Sequence, residues 1–391
     1  MTRRPIADHR AQVAERLSGL ARTETIPVRV ALDRVTAEPV TAPYSLPLFD
    51  NSAMDGFAVR ATDVTAGATL PVRGRIYAGD GALSTLAVGT AMAIMTGAPL
   101  PSGADAVIPV EQTTERDGSV LLHESTTSGA FVRSAGDDVS AGDVVVGAGV
   151  QLAPRHLGAL AASGVESITV HRRPAVAVIS TGSELILAGT EPVGGQVFES
   201  NSLVLQALAA KHGGQVIFIA SARDDDSFAA VLTAACQDAD VVITSGGVSM
   251  GEREPVRQLL QPHGWFGPIA MQPGGPQGLA TWHKTPIIAL PGNPVSIVVS
   301  FEILIRDTLR ELAGLPAIPA GQATLARAVT SVAGKTQFLR GVTNDDGQVV
   351  PIGGPGSHLM VTAAAADLLI EIDADTTALD AGAEVTTWPM T

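Results

Sequence analysis

The chain has 391 residues and a formal net charge of −14, because 39 acidic side chains outnumber 25 basic ones. A nucleic-acid-binding protein needs a basic face to neutralise phosphates, so this balance argues against that class. With 41 glycines, 25 prolines and 46% hydrophobic residues, the composition also argues against a coiled coil and against disorder.

A single cysteine, Cys236, excludes a disulfide or a thiolate metal cage within one chain. It follows an apolar run, which favours a buried helix residue over a nucleophile. No apolar segment follows the N-terminal residues, and no window reaches the roughly 18 apolar residues of a membrane span. We therefore expect a cytoplasmic protein with no membrane partner.

The first part of the chain predicts one helix and then mostly β structure. Apolar spacing predicts a helix over 6–20, and alternation predicts extended chain over 26–42. Short apolar runs between glycine-rich turns over 48–150 predict a small, mainly β module. A short helix is predicted over 154–163.

Strands and helices alternate after residue 173, which is typical of parallel βαβ units in a three-layer α/β domain. The predicted strands are 175–179, 215–220, 240–244 and 286–290, and the predicted helices are 201–212, 226–237, 254–261 and 294–313. Beyond Gly314 the β pattern returns, with candidate strands 323–329, 348–352 and 368–372. The fold class is therefore α/β with additional β-rich modules.

Ligands of open parallel sheets bind outside the carboxyl ends of the strands. The segments at those positions, 180–184, 222–226, 245–252 and 291–294, are rich in glycine, hydroxyl and carboxylate side chains. Glycine amides and serine hydroxyls in 244–251 could hold a phosphate or another anion, although an ordinary glycine-rich turn has the same composition. The spacing matches neither a P-loop nor a dinucleotide fingerprint.

Three carboxylates in or just after these segments, Glu184, Asp224 and Glu254, could hold Mg²⁺, which prefers oxygen ligands. The alternative is helix capping, and for the acids of 224–226 it is the simpler interpretation from the residues alone. A second polar cluster, 48–58, indicates either a shaped pocket or a turn. The eight histidines show no metal-ligand spacing and no catalytic triad.

Together these segments resemble the MoeA/gephyrin-E family, the molybdopterin molybdenumtransferases. The motifs that carry the resemblance occur in the family's order and span nearly the whole chain. They are Phe49-Asp50-Asn51-Ser52-Ala53-Met54-Asp55-Gly56-Phe57-Ala58, Thr96-Gly97-Ala98-Pro99, Ser180-Thr181-Gly182-Ser183-Glu184-Leu185, Ser245-Gly246-Gly247-Val248-Ser249-Met250-Gly251-Glu252 and Leu290-Pro291-Gly292-Asn293-Pro294-Val295-Ser296.

The resemblance implies a four-domain homodimer with an active site shared across the subunit interface. Its domains would be a linker domain (1–47 with 138–172), a β-rich domain (48–137), a molybdopterin-binding α/β domain (173–315) and a C-terminal β-barrel (316–391). It implies Mg²⁺-dependent insertion of molybdate into adenylylated molybdopterin with release of AMP. Molybdopterin adenylyltransferase and molybdoenzyme apoproteins would be its partners.

The resemblance also assigns roles to individual residues. Asp55 and Thr96, from the partner subunit, would act in catalysis with Glu184 and Asp224, and Glu184, Asp224 and Glu254 would hold Mg²⁺. The residues that would bind the pterin and its phosphates are Ser180, Thr181, Gly182, Ser245, Gly246, Gly247, Ser249, Gly251, Pro291, Gly292, Asn293, Pro294, Arg340 and Ser357.

The sequence departs from the family pattern in three relevant places, one of them Pro355, where the family usually has glutamine before Gly356-Ser357. Glu254 stands where the family usually has Asp, and the segment 272–278 lacks the lysine that would hold an anion as a point charge. The missing lysine motivates an alternative, a catalytically weakened paralogue that binds molybdopterin or a partner protein. The residue chemistry alone, without the family motifs, leaves a further alternative, an unrelated Mg²⁺-dependent nucleotide-binding enzyme.

Overall fold

A computed structural model describes residues 3–80, 85–223, 225, 227–249, 251 and 254–390. The backbone divides into two compact units, Met1–Glu24 with His171–Thr391, and Thr25–Val170. The finer division into four domains remains a prediction. In the described residues no helix is long and apolar enough to cross a lipid bilayer.

The helices and strands are numbered in chain order. The helices are α1 (Ile6–Leu17), α2 (Pro154–Ala162), α3 (Asn201–Lys211), α4 (Ser227–Ala235), α5 (Pro255–Leu260), α6 (Pro294–Leu304), α7 (Arg306–Leu312) and α8 (Met360–Ala363). The strands are β1 (Thr23–Pro27), β2 (Val40–Thr41), β3 (Asn51–Ser52), β4 (Gly56–Val59), β5 (Thr69–Ile76), β6 (Ala91–Ile94), β7 (Ala106–Pro109), β8 (Thr113–Arg116), β9 (Ser119–Leu122), β10 (Val132–Arg133), β11 (Val144–Val146), β12 (Ser167–His171), β13 (Ala175–Thr181), β14 (Leu185–Ile186), β15 (Val197–Phe198), β16 (Gln215–Ala222), β17 (Val241–Ser245), β18 (Gly264–Pro268), β19 (Met271–Gln272), β20 (Pro276–Trp282), β21 (Thr285–Leu290), β22 (Gly321–Thr324), β23 (Val329–Thr330), β24 (Thr336–Thr343), β25 (Val349–Pro351), β26 (Leu368–Ile372), β27 (Ala378–Leu379) and β28 (Glu384–Pro389).

The α/β part of the first unit is built on a six-stranded sheet with the order β16-β13-β17-β21-β20-β18. The first four strands are parallel, as the sequence predicts, and all seven residues of β13 are buried. Alternate residues of β13 pack on opposite faces, with Val176 and Val178 in a core shared with α3, α6 and α7, and Ala177 and Ile179 in a core shared with α4 and α5. This confirms the three-layer arrangement.

Two details of this sheet and its helices differ from the sequence prediction. β18 and β20 extend the sheet as antiparallel strands, which the sequence analysis did not predict. The helix predicted over 294–313 is two helices, because the chain turns at Ile305 between α6 and α7.

The C-terminal strands close into a ring, as expected for a barrel. β24, β26, β28 and β22 are neighbours in that order, and β25 pairs with β24. A bridge between Leu325 and Val349 joins the end of β22 to β25, so the ring returns to β24. The side chains inside are apolar, among them Leu325, Leu339 and Ile370.

The second unit contains a six-stranded sheet with the order β7-β4-β6-β5-β9-β8, in agreement with the β texture of the sequence. Successive residues of β4 contribute to two apolar clusters, Phe57 and Val59 to one and Ala58 to the other. The extended chain predicted over 26–42 is wrong at Val28–Val30, which forms a 3₁₀ turn. In such a turn every third residue faces the same way, and Val28 and Ala31 accordingly share one core.

Candidate functional site

A cavity of about 840 Å³ lies at the carboxyl ends of β13, β17 and β21, where the sequence predicts a ligand. Segments from the C-terminal part of the same unit also contribute to its wall. Its described lining residues are Thr181, Gly182, Glu184, Leu185, Val197, Phe198, Ser200, Asn201, Gly246, Gly247, Val248, Ser249, Glu254, Met271, Gln272, Pro273, Gly274, Gly275, Pro276, Pro291, Gly292, Asn293, Pro294, Ser296, Lys335, Pro355, Ser357 and His358.

Most of the residues predicted to bind the ligand line this cavity. They are Thr181, Gly182, Glu184, Gly246, Gly247, Ser249, Glu254, Pro291, Gly292, Asn293, Pro294 and Ser357. Gly251 is close to Glu254 but is not part of the lining. Asp224, predicted to act in catalysis and metal binding, is outside the described residues.

Two predicted ligand residues, Ser180 and Ser245, are fully buried behind the lining. They are partners in the register of β13 and β17, and the Oγ of Ser180 lies 3.0 Å from that of Ser221. Neither side chain lines the cavity, because Ser180 contacts the neighbouring strand β16 and Ser245 contacts Asn201 of α3. In a strand, successive side chains alternate in direction, and the next residue after Ser180, Thr181, lines the cavity.

Glycine is required in the turn after β17. Gly246 has a φ of +89°, and a Cβ at that position would lie 2.6 Å from the carbonyl oxygen of Thr181. A side chain would therefore be strained and would displace the end of β13. The close approach holds the backbone of this turn at the cavity wall, and the Gly246 amide itself donates to the Leu290 carbonyl oxygen at 3.0 Å.

Asn201, at the first position of α3, joins two of these loops. Its Nδ2 donates to Ser245 Oγ at 2.9 Å and to the carbonyl oxygen of Gly292 at 2.8 Å. The sequence analysis did not select this residue, although it is the first residue of the helix predicted over 201–212. It fixes the loop after β17 against the loop after β21.

The carboxylates of Glu184 and Glu254 both line the cavity. Glu254 also braces its own loop, because its Oε2 accepts a hydrogen bond from the Ser249 amide at 2.9 Å. No group of three His, Cys, Asp or Glu side chains suited to a metal ion occurs within the part of the chain that the structure describes.

Arg340 is almost fully buried beside the cavity wall, 3% exposed, and does not line it. Its guanidinium donates to the carbonyl oxygens of Gly356 at 2.9 Å, Gly353 at 3.3 Å and Gly354. Burial lowers its pKa. The side chain therefore holds the loop that carries Ser357, instead of reaching into the cavity as the sequence analysis expected.

Asp55 and Thr96, the other predicted catalytic residues, lie in the unit Thr25–Val170 and contact each other. Oδ1 of Asp55 accepts hydrogen bonds from the amide of Thr96 at 2.7 Å and from its hydroxyl at 2.8 Å. These two bonds, the amide's first, lower the pKa of the Asp55 carboxyl below its ordinary 3.8. At neutral pH this side chain is an exposed, ionised carboxylate with a fixed orientation.

Several lining residues come from places that strand-end reasoning does not reach. Val197, Phe198 and Ser200 precede α3, and Lys335, Pro355 and His358 come from the C-terminal part of the chain. Lys335 directly precedes β24, which pairs with β19 in the loop that follows β18. These residues are far apart in the sequence, so only the folded chain shows that they lie together.

Models of three protein regions match the sequence in order. They are the MoeA N-terminal region (domain I and II) at residues 4–164, a probable molybdopterin binding domain at 177–311 and the MoeA C-terminal region (domain IV) at 322–390. The crystal structure of a molybdopterin biosynthesis MoeA protein from Pyrococcus horikoshii superposes with a TM-score of 0.81 at 32% identity, covering 99% of both chains.

Two curated relatives match over all or nearly all of their length. Molybdopterin molybdenumtransferase 2 of Mycobacterium tuberculosis is 43% identical over 406 aligned positions, which cover 99% of this chain and 100% of that protein. The molybdopterin molybdenumtransferase of Haemophilus influenzae is 35% identical, with 97% of each chain covered. The chain belongs to the MoeA family.

Proposed function

We propose that this chain is a molybdopterin molybdenumtransferase that inserts molybdate into adenylylated molybdopterin and releases AMP. The observation that carries the proposal is the cavity of about 840 Å³ at the sheet's carboxyl edge, within the size range of small-molecule sites. The transferase name of the full-length relatives supports the enzyme and gives no support to the weakened paralogue.

The cavity's own groups are suited to anionic substrates. The amides of Gly246 and Ser249 already donate to the Leu290 carbonyl oxygen and to Glu254, so the donors of the wall here are the hydroxyls of Ser249 and Ser357. Such donors are fixed before the substrate arrives, so they can stabilise negative charge that develops as the adenylate is cleaved. Val197 and Phe198 supply apolar surface for a flat ring such as a pterin.

The carboxylates in the wall fit a role for Mg²⁺. Glu184 and Glu254 offer hard oxygen donors, and Mg²⁺ commonly takes one or two carboxylates together with substrate phosphates. We propose that these two side chains hold the ion with Asp224. Bound there, Mg²⁺ would offset phosphate charge.

We further propose that the enzyme works as a homodimer in which Asp55 and Thr96 of a second copy complete the site. The fixed, ionised carboxylate of Asp55 is suited to orienting a polar group of the substrate. The partners of the dimer would be the adenylyltransferase that supplies its substrate and the apoproteins that accept its product.

The test measures by chromatography the AMP that the purified protein releases from adenylylated molybdopterin. The reaction is run with and without molybdate, and with either Mg²⁺ or EDTA. We expect release that depends on both ions. Absence of AMP at saturating substrate would exclude the enzyme, while release unaffected by EDTA would exclude only Mg²⁺.

Complementation tests the shared site. Asp55→Asn and Glu184→Gln should each be inactive, and mixing them after reversible dissociation should restore activity, because a mixed dimer contains one intact site. Asp117→Asn is the matched control, since this aspartate forms only an exposed surface pair with Arg116. Failure of the mixture to recover activity while mixed dimers form would contradict the shared site.

A further inference from the structure

The charge of the cavity wall is concentrated on very few side chains. Among the described lining residues, Lys335 is the only lysine or arginine, and Glu184 and Glu254 are the only carboxylates. The whole chain carries a net charge of −14. An anion that enters this cavity therefore meets a repulsive surrounding field, and among the described lining residues Lys335 is the permanently charged cation that can offset it.

The backbone brings Lys335 to the loop that lacks a lysine. The amide of the next residue, Thr336, donates to the carbonyl oxygen of Ala270 at 2.9 Å, and Met271 is opposite Thr336 in the parallel pair of β19 and β24. Lys335 thus enters the cavity wall beside the segment 271–276, all of which lines the cavity. The charge comes from a neighbouring strand instead of from the loop itself.

The side chain of Lys335 is available for a ligand. It is partly buried, and it forms no hydrogen bond or ion pair with a described residue. An ammonium that is not paired within the described residues can contact an anion bound in the cavity. The nearby cation Arg340 does not compete for this role, because its guanidinium already donates to three carbonyl oxygens.

We propose that Lys335 is the cationic contact for a tetrahedral oxyanion in this cavity, either free molybdate or a phosphate of the adenylylated pterin. This rests on the proposed function, and it adds a specificity-determining residue that the strand-end loops do not contain. Arg340 acts as a positioning residue, because it holds the loop whose Ser357 lines the same cavity.

The first experiment compares Lys335→Gln and Lys335→Arg with wild type. A hydrogen bond to a charged group contributes about 1.5–3 kcal/mol, so the glutamine variant should raise KM for the contacted substrate about 10- to 100-fold while the arginine variant retains most of the affinity. A higher KM for molybdate identifies molybdate as the ligand, and a higher KM for adenylylated molybdopterin identifies its phosphate. Lys211→Gln, an equal charge change at an exposed position of α3, should alter neither KM.

A rescue experiment tests the place of the charge. A Cβ at Gly275 would lie 3.6 Å from the nearest atom, the carbonyl oxygen of Met271, so a side chain fits there without displacing backbone. Gly275→Lys added to Lys335→Gln should return KM to within about threefold of wild type. A structural role for Lys335 would not be restored by a charge on the opposite segment.

Calorimetric titration with molybdate and with inorganic pyrophosphate gives a readout independent of turnover. Wild type should bind one of them at least 10-fold more tightly than Lys335→Gln. Equal affinity of the two proteins for both probes, or no binding by wild type, would overturn the proposal. Absence of AMP release by wild type with the binding difference intact would instead contradict the proposed function alone.

Discussion

Asn201 offers the sharpest test of how the cavity is held together. We consider Asn201→Leu, which keeps the size of the side chain and removes both donors. The bond to Ser245 is fully buried, so its loss leaves a buried hydroxyl without that partner and costs about 1–3 kcal/mol. The bond to Gly292 is only partly buried, and water can replace some of it, so its loss costs about 0.5–1.5 kcal/mol.

The two losses together predict a destabilisation of about 2–4 kcal/mol. The assay is urea unfolding followed by circular dichroism, with the midpoint and slope fitted for each transition. Gln206→Leu is the matched control, because it makes the same amide-to-leucine change on the exposed side of α3 and should change stability by less than about 0.5 kcal/mol.

The same substitution should weaken substrate binding. When the loops after β17 and β21 are no longer joined, Gly246 and Gly292 lose their fixed spacing, and KM for adenylylated molybdopterin should rise about 10-fold, the equivalent of about 1.4 kcal/mol. If Asn201→Leu unfolds within about 0.5 kcal/mol of wild type and keeps its KM, then backbone bonds such as Gly246 N–H to the Leu290 carbonyl oxygen hold the loops by themselves.

Two further predictions concern titration. Burial, and then the charge of Arg4, lowers the pKa of His9 from 6.5 to about 3, so only the unfolded chain binds this proton between those values and stability falls as the pH drops below 6.5. At pH 5 this lowers the free energy of unfolding by about 2 kcal/mol relative to pH 7.5. In His9→Gln the difference in unfolding free energy between the two pH values should be smaller by that amount, and an unchanged difference would contradict the assignment. Thr96→Val should raise the pKa of Asp55 only part of the way to 3.8, because the amide bond remains, and a carbon-13 titration that shows no rise would exclude the hydroxyl's contribution.

The parallel core of the α/β sheet could be predicted because burial on both faces leaves a clear signal. Every residue of β13 is buried, and its first five residues, 175–179, are a continuous apolar run. β18 and β20 left no such signal, since glycines and prolines interrupt them and their pairing with β21 is antiparallel. Their glycines are a packing requirement, as a Cβ at Gly278 would lie 2.2 Å from the ring of Phe266.

The candidate site could be predicted where it follows the strand ends and not elsewhere. Thr181 and Gly246 line the cavity as expected, because each directly follows a buried strand residue. Asn201 and Lys335 reach the same cavity from a helix start and from the C-terminal strands, and no local pattern connects those positions. Arg340 shows the reverse case. It matches the family pattern, but it lies behind the cavity wall and holds the loop that carries Ser357.

The segment 272–276 without lysine is therefore weak support for a weakened enzyme. The segment keeps a fixed shape without the lysine. The shape is held by Gln277, which is fully buried and whose Nε2 donates to the Gly274 carbonyl oxygen at 2.8 Å and to Ser300 Oγ at 2.9 Å. A positive charge at the cavity surface attracts an anion regardless of which strand carries that charge. Lys335 lies beside this fixed loop and supplies such a charge.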